Sequence, residues 1–449
     1  MKRQAVLVKF ALFYPVAVAP ATDLGTGLLG LDRGRYRAML GELKEQAQCA
    51  DESGWTSLML AEHHFEVEGY QVTPNPLLLN VFLAQHTTRL RHGQMGLVLP
   101  NWNPLRLAED IAMADHLTGG RLDIGLSRGY QTRAVGVLGQ HFGVGIADSE
   151  RAEVEARNRR VFEEWFEVMR RSWTEDLWSH ASDLIQVPPP GLAWPHPVSA
   201  RLGAGVANGE ITQIATVPKP LQTPHPPMFT TLTQSPATLD WAARVGSSIV
   251  TIATDRDMLN GLFHGYVQAA AGYGRTFTPG EWRPDGGVAV CRLLAVARTH
   301  EQAMETARQS MTFAADWLGE FGFFEAWRLP GQEGPVPRTL EQVLAAGALL
   351  AGTPDEVGEQ ITRLRDEFGV QYMVFTPGGG AAEHARMLET IQLFGEQVIP
   401  LVRDSDPDQD LAGAAARPAG PAPAARAVPA VHRADHDHLA GPAAGDQGR

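Results

Sequence analysis

The sequence is poor in cysteine, in long apolar runs and in positive charge. Only Cys49 and Cys291 occur among 449 residues, which excludes a disulfide scaffold and suits a reducing compartment, so we expect a cytoplasmic protein. No apolar run approaches the roughly 18–20 residues that cross a bilayer, and we expect no membrane segment. The formal net charge of −13 argues against nucleic-acid binding, because no cationic stripe is available to neutralise phosphates.

Motifs for metal, redox and nucleotide chemistry are also missing. The chain contains no HExxH and no Cys/His spacing typical of a metal site, so we expect no resident metal ion. It contains no CxxC and no Walker phosphate loop, which argues against a thioredoxin-like or P-loop protein.

Short β-type runs alternate with longer helical patterns along residues 1–403, which predicts a (β/α)8 TIM barrel with insertions. Several of the runs are almost continuously apolar, as strands buried on both faces require. The predicted strands are residues 6–13, 56–61, 94–99, 122–127, 228–232, 248–252, 288–296 and 371–375. The predicted helices include residues 35–52 and 104–118, and two that begin at Ser235-Pro236 and Thr353-Pro354, where a capping side chain precedes a first-turn proline.

Two insertions and a tail depart from the barrel pattern. Residues 176–226 are rich in Pro and Gly, and residues 319–339 combine Gly and Pro with aromatic side chains such as Phe321 and Trp327. An aromatic loop of that length in a compact barrel is typical of an active-site lid. The Ala/Pro/Gly-rich residues 404–449 cannot bury enough apolar surface to offset their ordering entropy, which predicts a disordered tail.

Chemically distinctive residues follow four of the predicted strands. Barrel enzymes place their sites at these strand ends, because the loops there converge on one face. The four segments are Glu62-His63-His64-Phe65, Pro100-Asn101-Trp102-Asn103-Pro104, Ser127-Arg128-Gly129-Tyr130, and Gln234-Ser235 with Thr238.

An anion site is the clearest prediction from these segments. The Arg128 guanidinium offers a rigid fork of donors to a phosphate, and Gly129 lets the backbone approach a ligand. Ser235 and Thr238 lie at a predicted helix start, where free amides and the helix dipole favour an anion. A plain N-cap is an equally open interpretation of Ser235. The three glycines at residues 378–380 are only weak evidence for a second phosphate contact.

The adjacent histidines His63 and His64 allow several interpretations. Neighbouring residues on a strand point to opposite faces, so chelation of one metal by both is not expected. One histidine facing the pocket as a general base or hydrogen-bond donor is favoured, and a purely structural histidine pair stays open.

Three segments, Glu62-His63-His64-Phe65, residues 93–100 and residues 125–130, resemble the luciferase-like flavin monooxygenases. The resemblance continues through residues 170–175, 218–227, 352–357 and 393–395. It covers about residues 1–403 and leaves the tail unmatched. The resemblance implies a TIM barrel that binds FMN.

The resemblance also implies the roles of individual residues. His63 takes the place of the family's catalytic histidine. Met95-Gly96 falls where the family carries a non-proline cis peptide against the isoalloxazine ring. The implied cofactor-binding residues are Met95, Gly96, Ser127, Arg128, Tyr130, Arg159, Gln234, Ser235 and Thr238.

Two positions depart from the family pattern. Ser127 stands where luciferases carry a reactive cysteine, so thiol chemistry beside the flavin is not expected. The second phosphate arginine is ambiguous, because counting back from Trp173 selects Arg159 whereas counting forward from Gly139 selects Arg151. We choose Arg159.

The activity implied by the resemblance is that of a two-component monooxygenase. A separate flavin reductase would supply reduced FMN, and O2 as co-substrate would form a flavin 4a-peroxide that oxygenates a small, apolar organic substrate. A deazaflavin-dependent hydride transfer on the same barrel and a non-catalytic flavin-binding subunit are the alternatives. Family habit implies a homodimer. The identity of the substrate, and the choice between hydroxylation and Baeyer–Villiger oxygenation, stay open.

Overall fold

Parallel strands surrounded by helices form the body of the computed structural model, which describes residues 8–144, 152–232, 235–321, 327 and 339–404. The strands are β1 (Lys9–Tyr14), β2 (Ser57–Leu60), β3 (Arg91–Gln94), β4 (Leu97–Val98), β5 (Ile124–Ser127), β6 (His180–Ala181), β7 (Gln186–Val187), β8 (Val206–Ala207), β9 (Glu210–Ile211), β10 (Met228–Thr231), β11 (Ser247–Thr251), β12 (Trp282–Arg283), β13 (Gly286–Val296), β14 (Leu349–Gly352) and β15 (Tyr372–Pro377).

The α-helices lie mainly between the barrel strands. They are α1 (Arg33–Ser53), α2 (Pro76–Ala84), α3 (Pro104–Leu117), α4 (Thr132–Leu138), α5 (Ala152–Thr174), α6 (Pro197–Leu202), α7 (Pro236–Val245), α8 (Arg256–Gly272), α9 (His300–Gly319), α10 (Leu340–Ala345), α11 (Pro354–Phe368), α12 (His384–Leu393) and α13 (Ile399–Asp404). Within the described residues, none of these helices is long and apolar enough to cross a membrane.

The main sheet runs in the order β3-β2-β1-β15-β13-β11-β10-β5-β4, and all of these neighbours pair in parallel. Strands β3 and β4 are two halves of one barrel position, since β3 pairs with β2 and β4 pairs with β5. A parallel bridge between His92 and Leu122 completes the seam between β3 and the start of β5. The sheet is therefore an eight-position (β/α)8 barrel, which confirms the predicted fold class.

Apolar side chains fill both sides of this sheet. The barrel interior is packed with Met59, Phe229, Val250 and Tyr372, all of which are buried. The alternate residues of the strands face the helices and join the largest apolar cluster. Burial on both faces explains why the strand sequences are almost continuously apolar rather than alternating.

Local sequence signals fix several helix starts as predicted. The Ser235 side chain caps α7 by accepting from the Thr238 amide, and Pro236 occupies the first helical position. Thr353 and Glu356 form a reciprocal capping box at the start of α11.

Two details of the barrel differ from the sequence prediction. The predicted strand at residues 94–99 begins at Arg91 instead, and it is interrupted between Gln94 and Leu97, where the Met95–Gly96 peptide bond is cis. Strand β14 was not predicted; its four residues pair only with the far end of β13. A buried run this short lacks the periodicity that distinguishes a strand from a helix.

The first predicted insertion forms two small hairpins, β6–β7 and β8–β9, with α6 between them. The second lies largely outside the described residues. Of its described part, Trp327 is buried and donates its indole N–H to the Ile252 carbonyl oxygen at 3.1 Å. The predicted tail also lies outside the described residues, apart from Asp404 at the end of α13.

Candidate active site

The carboxyl ends of the barrel strands carry the predicted site segments. Because all barrel strands are parallel, these ends meet at one edge of the barrel. The segments are residues 62–65 after β2, 100–104 after β4, 128–130 after β5 and 235–238 after β10. Gln234, another predicted cofactor-binding residue, lies outside the described residues.

Two arginines and a serine converge beside the start of α7. Arg128 Nη1 and Arg159 Nη2 both contact Glu155 Oε1, the second at 3.4 Å. Arg159 Nη2 also lies 3.5 Å from Ser235 Oγ, as a weak hydrogen bond. Arg128 comes from the loop after β5, Arg159 from α5 and Ser235 from the cap of α7, so three separate parts of the chain direct donors to one point.

The amino terminus of α7 contributes to the same point. Thr238 Oγ1 donates to Ser235 Oγ at 3.1 Å, and the Thr238 amide lies 3.3 Å from that oxygen. The positive end of the helix dipole and the adjacent hydroxyls therefore add to the charge of the two arginines. This donor set has the chemistry that a phosphate monoester requires, and the Glu155 carboxylate stands where such an anion would bind.

Close backbone contacts shape the barrel edge next to these residues. A Cβ atom on Gly125 would lie 1.8 Å from the Gln94 carbonyl oxygen, and one on Gly96 would lie 2.8 Å from the Gly125 carbonyl carbon. Only glycine is accommodated at either position. Met95 is buried beside them, and Ser127 Oγ donates to the Leu97 carbonyl oxygen at 3.4 Å.

His63 is buried at the end of β2. Its backbone amide donates to the Thr73 carbonyl oxygen at 3.1 Å, and its ring packs edge-on against Tyr130, with centroids 5.7 Å apart. The pKa of His63 is lowered to about 4, mainly by burial; a hydrogen bond with Gln131 opposes this shift and the neighbouring His64 reinforces it. The imidazole is therefore neutral at physiological pH and can act as a hydrogen-bond acceptor or donor.

His64 points elsewhere and pairs with Glu62. Its Nε2 lies 2.9 Å from Glu62 Oε1. The second carboxylate oxygen, Oε2, accepts from the Val98 amide and from Trp102 Nε1, both at 2.8 Å. Glu62 thus joins the loop after β2 to the segment that follows the cis peptide.

Buried amides surround Tyr130. Gln71 Oε1 accepts from Gln131 Nε2 at 2.9 Å and from Trp317 Nε1 at 3.2 Å, while Gln71 Nε2 lies 3.4 Å from the Tyr130 hydroxyl. Burial raises the pKa of Tyr130, so the hydroxyl keeps its proton. Phe321 packs edge-on against the Tyr130 ring.

An unusual carboxyl group lies next to this network. The Glu66 side chain is buried, and Arg133 Nη1 lies 3.3 Å from its Oε2. Burial raises the pKa of Glu66 to about 7, a shift that the Arg133 charge opposes and the Glu68 charge reinforces. A group that exchanges its proton near neutral pH therefore lies two residues after His64 in the chain.

Sequence reasoning anticipated some of these residues and missed others. It selected His63, Met95, Gly96, Ser127, Arg128, Tyr130, Arg159, Gln234, Ser235 and Thr238, and the structure brings the described members of that set, all except Gln234, to one barrel edge. It did not select Gln71, Gln131 or Glu155. Glu155 precedes Arg159 by one helical turn, a spacing that favours an ion pair. This spacing is the sequence feature from which the contact between Glu155 and Arg159 could have been predicted.

Two glycine patterns also fit motifs of other enzyme classes. Residues 25–30 fit GxGxxG, but they lie well beyond the end of β1, and the Asp32 side chain already accepts from the first amides of α1. A dinucleotide would need those amides free. Residues 125–129 fit GxSxG, but Ser127 is the last residue of β5 and its hydroxyl donates to a backbone carbonyl. Neither pattern has the structural context of its motif.

A metal site is not formed by the described residues, among which no group of three or more His, Cys, Asp or Glu side chains is arranged to hold an ion. The described residues of the candidate site are instead two arginines, two hydroxyl side chains and a buried histidine.

Two proteins with similar sequences are named as monooxygenases. Limonene 1,2-monooxygenase of Rhodococcus erythropolis is 24% identical over 362 residues, which cover 79% of this chain and 80% of that protein. The oxygenase component of the flavin-dependent trigonelline monooxygenase of Acinetobacter baylyi is 27% identical over 222 residues, covering 49% of this chain and 50% of that protein.

Solved structures share the fold. The FMN complex of the oxygenating constituent of 3,6-diketocamphane monooxygenase from Pseudomonas putida has a TM-score of 0.66 and 18% identity, covering 88% of this chain and 99% of that one. An F420-dependent secondary alcohol dehydrogenase has a TM-score of 0.57 and 15% identity, covering 89% and 100%. Residues 8–372 match the family model described as luciferase-like monooxygenase, and since this match spans most of the chain, the protein is an enzyme of the luciferase-like monooxygenase family.

Proposed function

We propose that the protein is the oxygenase component of a two-component system that uses reduced FMN and O2 to oxygenate a small, apolar organic molecule. The observation that carries this proposal is the convergence of Arg128, Arg159 and the capped start of α7 on one anion position. A phosphate there distinguishes FMN from riboflavin, which lacks it.

The bound reduced flavin would supply the electrons that activate O2. The chain's own residues would bind and orient the flavin and shield it from water. Arg128, Arg159, Ser235 and Thr238 would hold the phosphate, and the closely packed backbone at Gly96 and Gly125 would lie beside the flat ring system. Tyr130, held by Gln71 and Phe321, would form one wall.

His63 supplies a neutral imidazole to this pocket. Because burial holds its pKa near 4, His63 does not bring a positive charge to the flavin at neutral pH. His63 would hold or relay a single proton through hydrogen bonds. This role needs a site shielded from water, and His63 is buried against the Tyr130 ring.

A partner reductase follows from the proposed flavin chemistry. Residues 25–30 lack the context of a dinucleotide site, and the related trigonelline monooxygenase is named as an oxygenase component. Both observations support an external source of reduced FMN. The two free cysteines, Cys49 and Cys291, support a cytoplasmic location.

Exposed apolar side chains on α2 and α3 support a homodimer. Leu78 and Phe82 of α2 and Met113 and Leu117 of α3 are between 37% and 67% exposed. Such a patch on two adjacent helices is typical of a subunit interface, and a second copy of this chain is the proposed partner.

A deazaflavin-dependent hydride transfer is the second candidate. F420-dependent neighbours share the fold, and the same anion position would fit the phosphate of a deazaflavin coenzyme.

An isotope experiment separates the candidates. The protein is mixed with photoreduced FMN and a panel of terpenes, cyclic ketones, alkanes and N-heteroaromatics under 18O2, and products are analysed by mass spectrometry. The proposal expects one 18O atom in a product that depends on both FMN and protein. A parallel reaction contains a deazaflavin coenzyme in place of FMN. Substrate reduction or oxidation in that reaction, without oxygen incorporation, would favour the deazaflavin candidate over the oxygenase, and absence of both activities across the panel would favour a flavin-binding subunit.

A further inference from the structure

Glu155 occupies the centre of the anion position. Its Oε1 contacts both Arg128 Nη1 and Arg159 Nη2, and Arg159 lies at the same time within reach of Ser235 Oγ. The carboxylate therefore uses the donors that would otherwise meet a phosphate. One oxygen atom bridging two guanidinium groups is a ligand-like arrangement rather than an isolated surface ion pair.

The site cannot accommodate both anions at these donors. Two arginines bring two positive charges, and Glu155 neutralises one of them while its oxygen lies between the guanidinium groups. A phosphate dianion entering the same place would meet like charge at hydrogen-bond distance, which is unfavourable in a partly desolvated site. One of the two has to leave.

Glu155 is the member of the cluster that can leave. Its side chain is 42% exposed, whereas those of Arg128 and Arg159 are 29% and 28% exposed. The helix that carries it is fixed, because Val161, Phe162 and Trp165 on α5 are buried in the core. Release therefore needs only a rotation of the Glu155 side chain toward solvent.

We propose that Glu155 is an internal anion that occupies the phosphate site in the absence of flavin and is displaced by the phosphate of the incoming flavin. This inference rests on the proposed function, since it assigns a regulator to the proposed phosphate site. Glu155 keeps the arginines together and ordered, and it lowers the affinity for the phosphate by competing with it.

Moderate affinity has a physical use in a two-component system. Reduced flavin has to arrive from the reductase, and oxidised flavin has to leave after turnover. Two unopposed arginines at a helix amino terminus would hold a phosphate dianion through several charge-assisted hydrogen bonds and slow its release. An internal carboxylate that replaces the phosphate as it departs speeds exchange.

The test compares flavin binding by the full-length wild-type protein and by E155Q, with E163Q as a matched control. Glu163 lies two turns further along the same helix and pairs with Arg244 at 3.0 Å, so its substitution changes the net charge equally while Glu155 keeps its contacts with Arg128 and Arg159. Dissociation constants are measured for FMN and for riboflavin, and inorganic phosphate is titrated as a competitor of FMN.

The expected result is specific to the phosphate. E155Q should bind FMN and inorganic phosphate about three- to tenfold more tightly than wild type and release FMN more slowly, because a partly exposed like charge has a modest effect. Riboflavin should bind equally to both, and E163Q should resemble wild type. E155D, which keeps the charge but shortens its reach, should lie between wild type and E155Q.

Unchanged or weaker FMN binding by E155Q would overturn the inference and make Glu155 a support that only orders the arginines. Wild-type protein that does not prefer FMN to riboflavin would overturn the phosphate site itself, and with it both this inference and the proposed use of FMN. The two failures are thus distinguishable, because only the second appears in the wild-type measurements.

Discussion

The Glu62 carboxylate accepts a hydrogen bond from the Trp102 indole at 2.8 Å, which ties the histidine-bearing loop after β2 to the loop after β4. The same carboxylate accepts from the Val98 amide and pairs with His64. All three contacts are made by a side chain without solvent exposure. Trp102 therefore uses its indole N–H for an internal bond between the two loops.

Substitution of Glu62 by Gln is expected to destabilise the fold. The amide group of the new side chain would turn N–H donors toward the donors of Val98, Trp102 or His64, and at least one would lose its acceptor. The free energy of unfolding should fall by about 1–3 kcal/mol, measured by chemical denaturation. The control E109Q removes an exposed ion pair with Arg106 and should change stability by less than about 0.5 kcal/mol. Equal midpoints for E62Q and wild type would contradict the structural role of this carboxylate.

Substitution of His63 by Ala is expected to reduce turnover while leaving the affinity for FMN almost unchanged. Turnover with reduced FMN should fall by about a hundredfold or more, since a positioned imidazole is lost, while FMN affinity changes by less than about twofold because His63 does not contact the phosphate donors. Steady-state oxygenation and equilibrium titration measure the two quantities. The exposed His264 on α8 provides the control H264A, which should keep both. A parallel loss of turnover and FMN affinity would exclude a catalytic role for His63.

Substitution of Arg159 by Gln is expected to weaken FMN binding by about tenfold and to leave riboflavin binding unchanged, because one charge-assisted contact to the phosphate is removed. The neighbouring Arg160, which pairs with Asp183 at the surface, gives the control R160Q. Arg151, the other candidate for the second phosphate arginine, lies outside the described residues, and R151Q should bind FMN like wild type. If R151Q weakens FMN binding and R159Q does not, the assignment is reversed.

Substitution of Glu66 by Gln is expected to alter the pH dependence of stability. The folded-state pKa of about 7 exceeds the ordinary 4.5, so the folded protein keeps a proton that the unfolded chain releases. The contribution of Glu66 to the free energy of unfolding is therefore fully present below pH 4.5 and is lost as pH rises to about 7. Between pH 5 and pH 8 the wild type should lose about 1–2 kcal/mol more than E66Q.

His63 acts in the opposite direction, because its lowered pKa removes stability as pH falls from about 6.5 to about 4. This contribution is common to wild type and E66Q and cancels in the comparison. The variant E163Q serves as the control, with a pH profile like that of wild type. Parallel pH profiles for wild type and E66Q would contradict the raised pKa of Glu66.

Sequence patterns were sufficient for the barrel because its signals are local and repeated. Apolar runs mark the strands buried on both faces, and Ser235-Pro236 and Thr353-Pro354 mark helix starts through capping chemistry. Strand β14 was not predicted because a run of only four residues is too short to show the alternation of a strand or the period of a helix. The break between β3 and β4 depends on how closely Gly96 approaches Gly125, a tertiary contact that no local pattern reveals.

The candidate site was only partly accessible from sequence for the same reason. Arg128 and Ser235 could be selected from their residue types and their positions after strands. The contact of Arg128 and Arg159 with one carboxylate oxygen requires three segments to meet in space. Likewise, the Gln71–Gln131–Tyr130 network joins residues about sixty positions apart, and amide side chains in loops give no sequence signal of burial.

Reoxidation of reduced FMN in the presence of the protein tests the proposed oxygenase most directly. Wild-type protein is loaded with anaerobic reduced FMN and mixed with oxygenated buffer in a stopped-flow instrument, and the return of oxidised-flavin absorbance is followed. A pocket that binds the flavin and excludes water predicts a return slower by about tenfold or more than that of free reduced FMN. Return at the rate measured without protein would contradict the assignment of these residues to an FMN-dependent oxygenase.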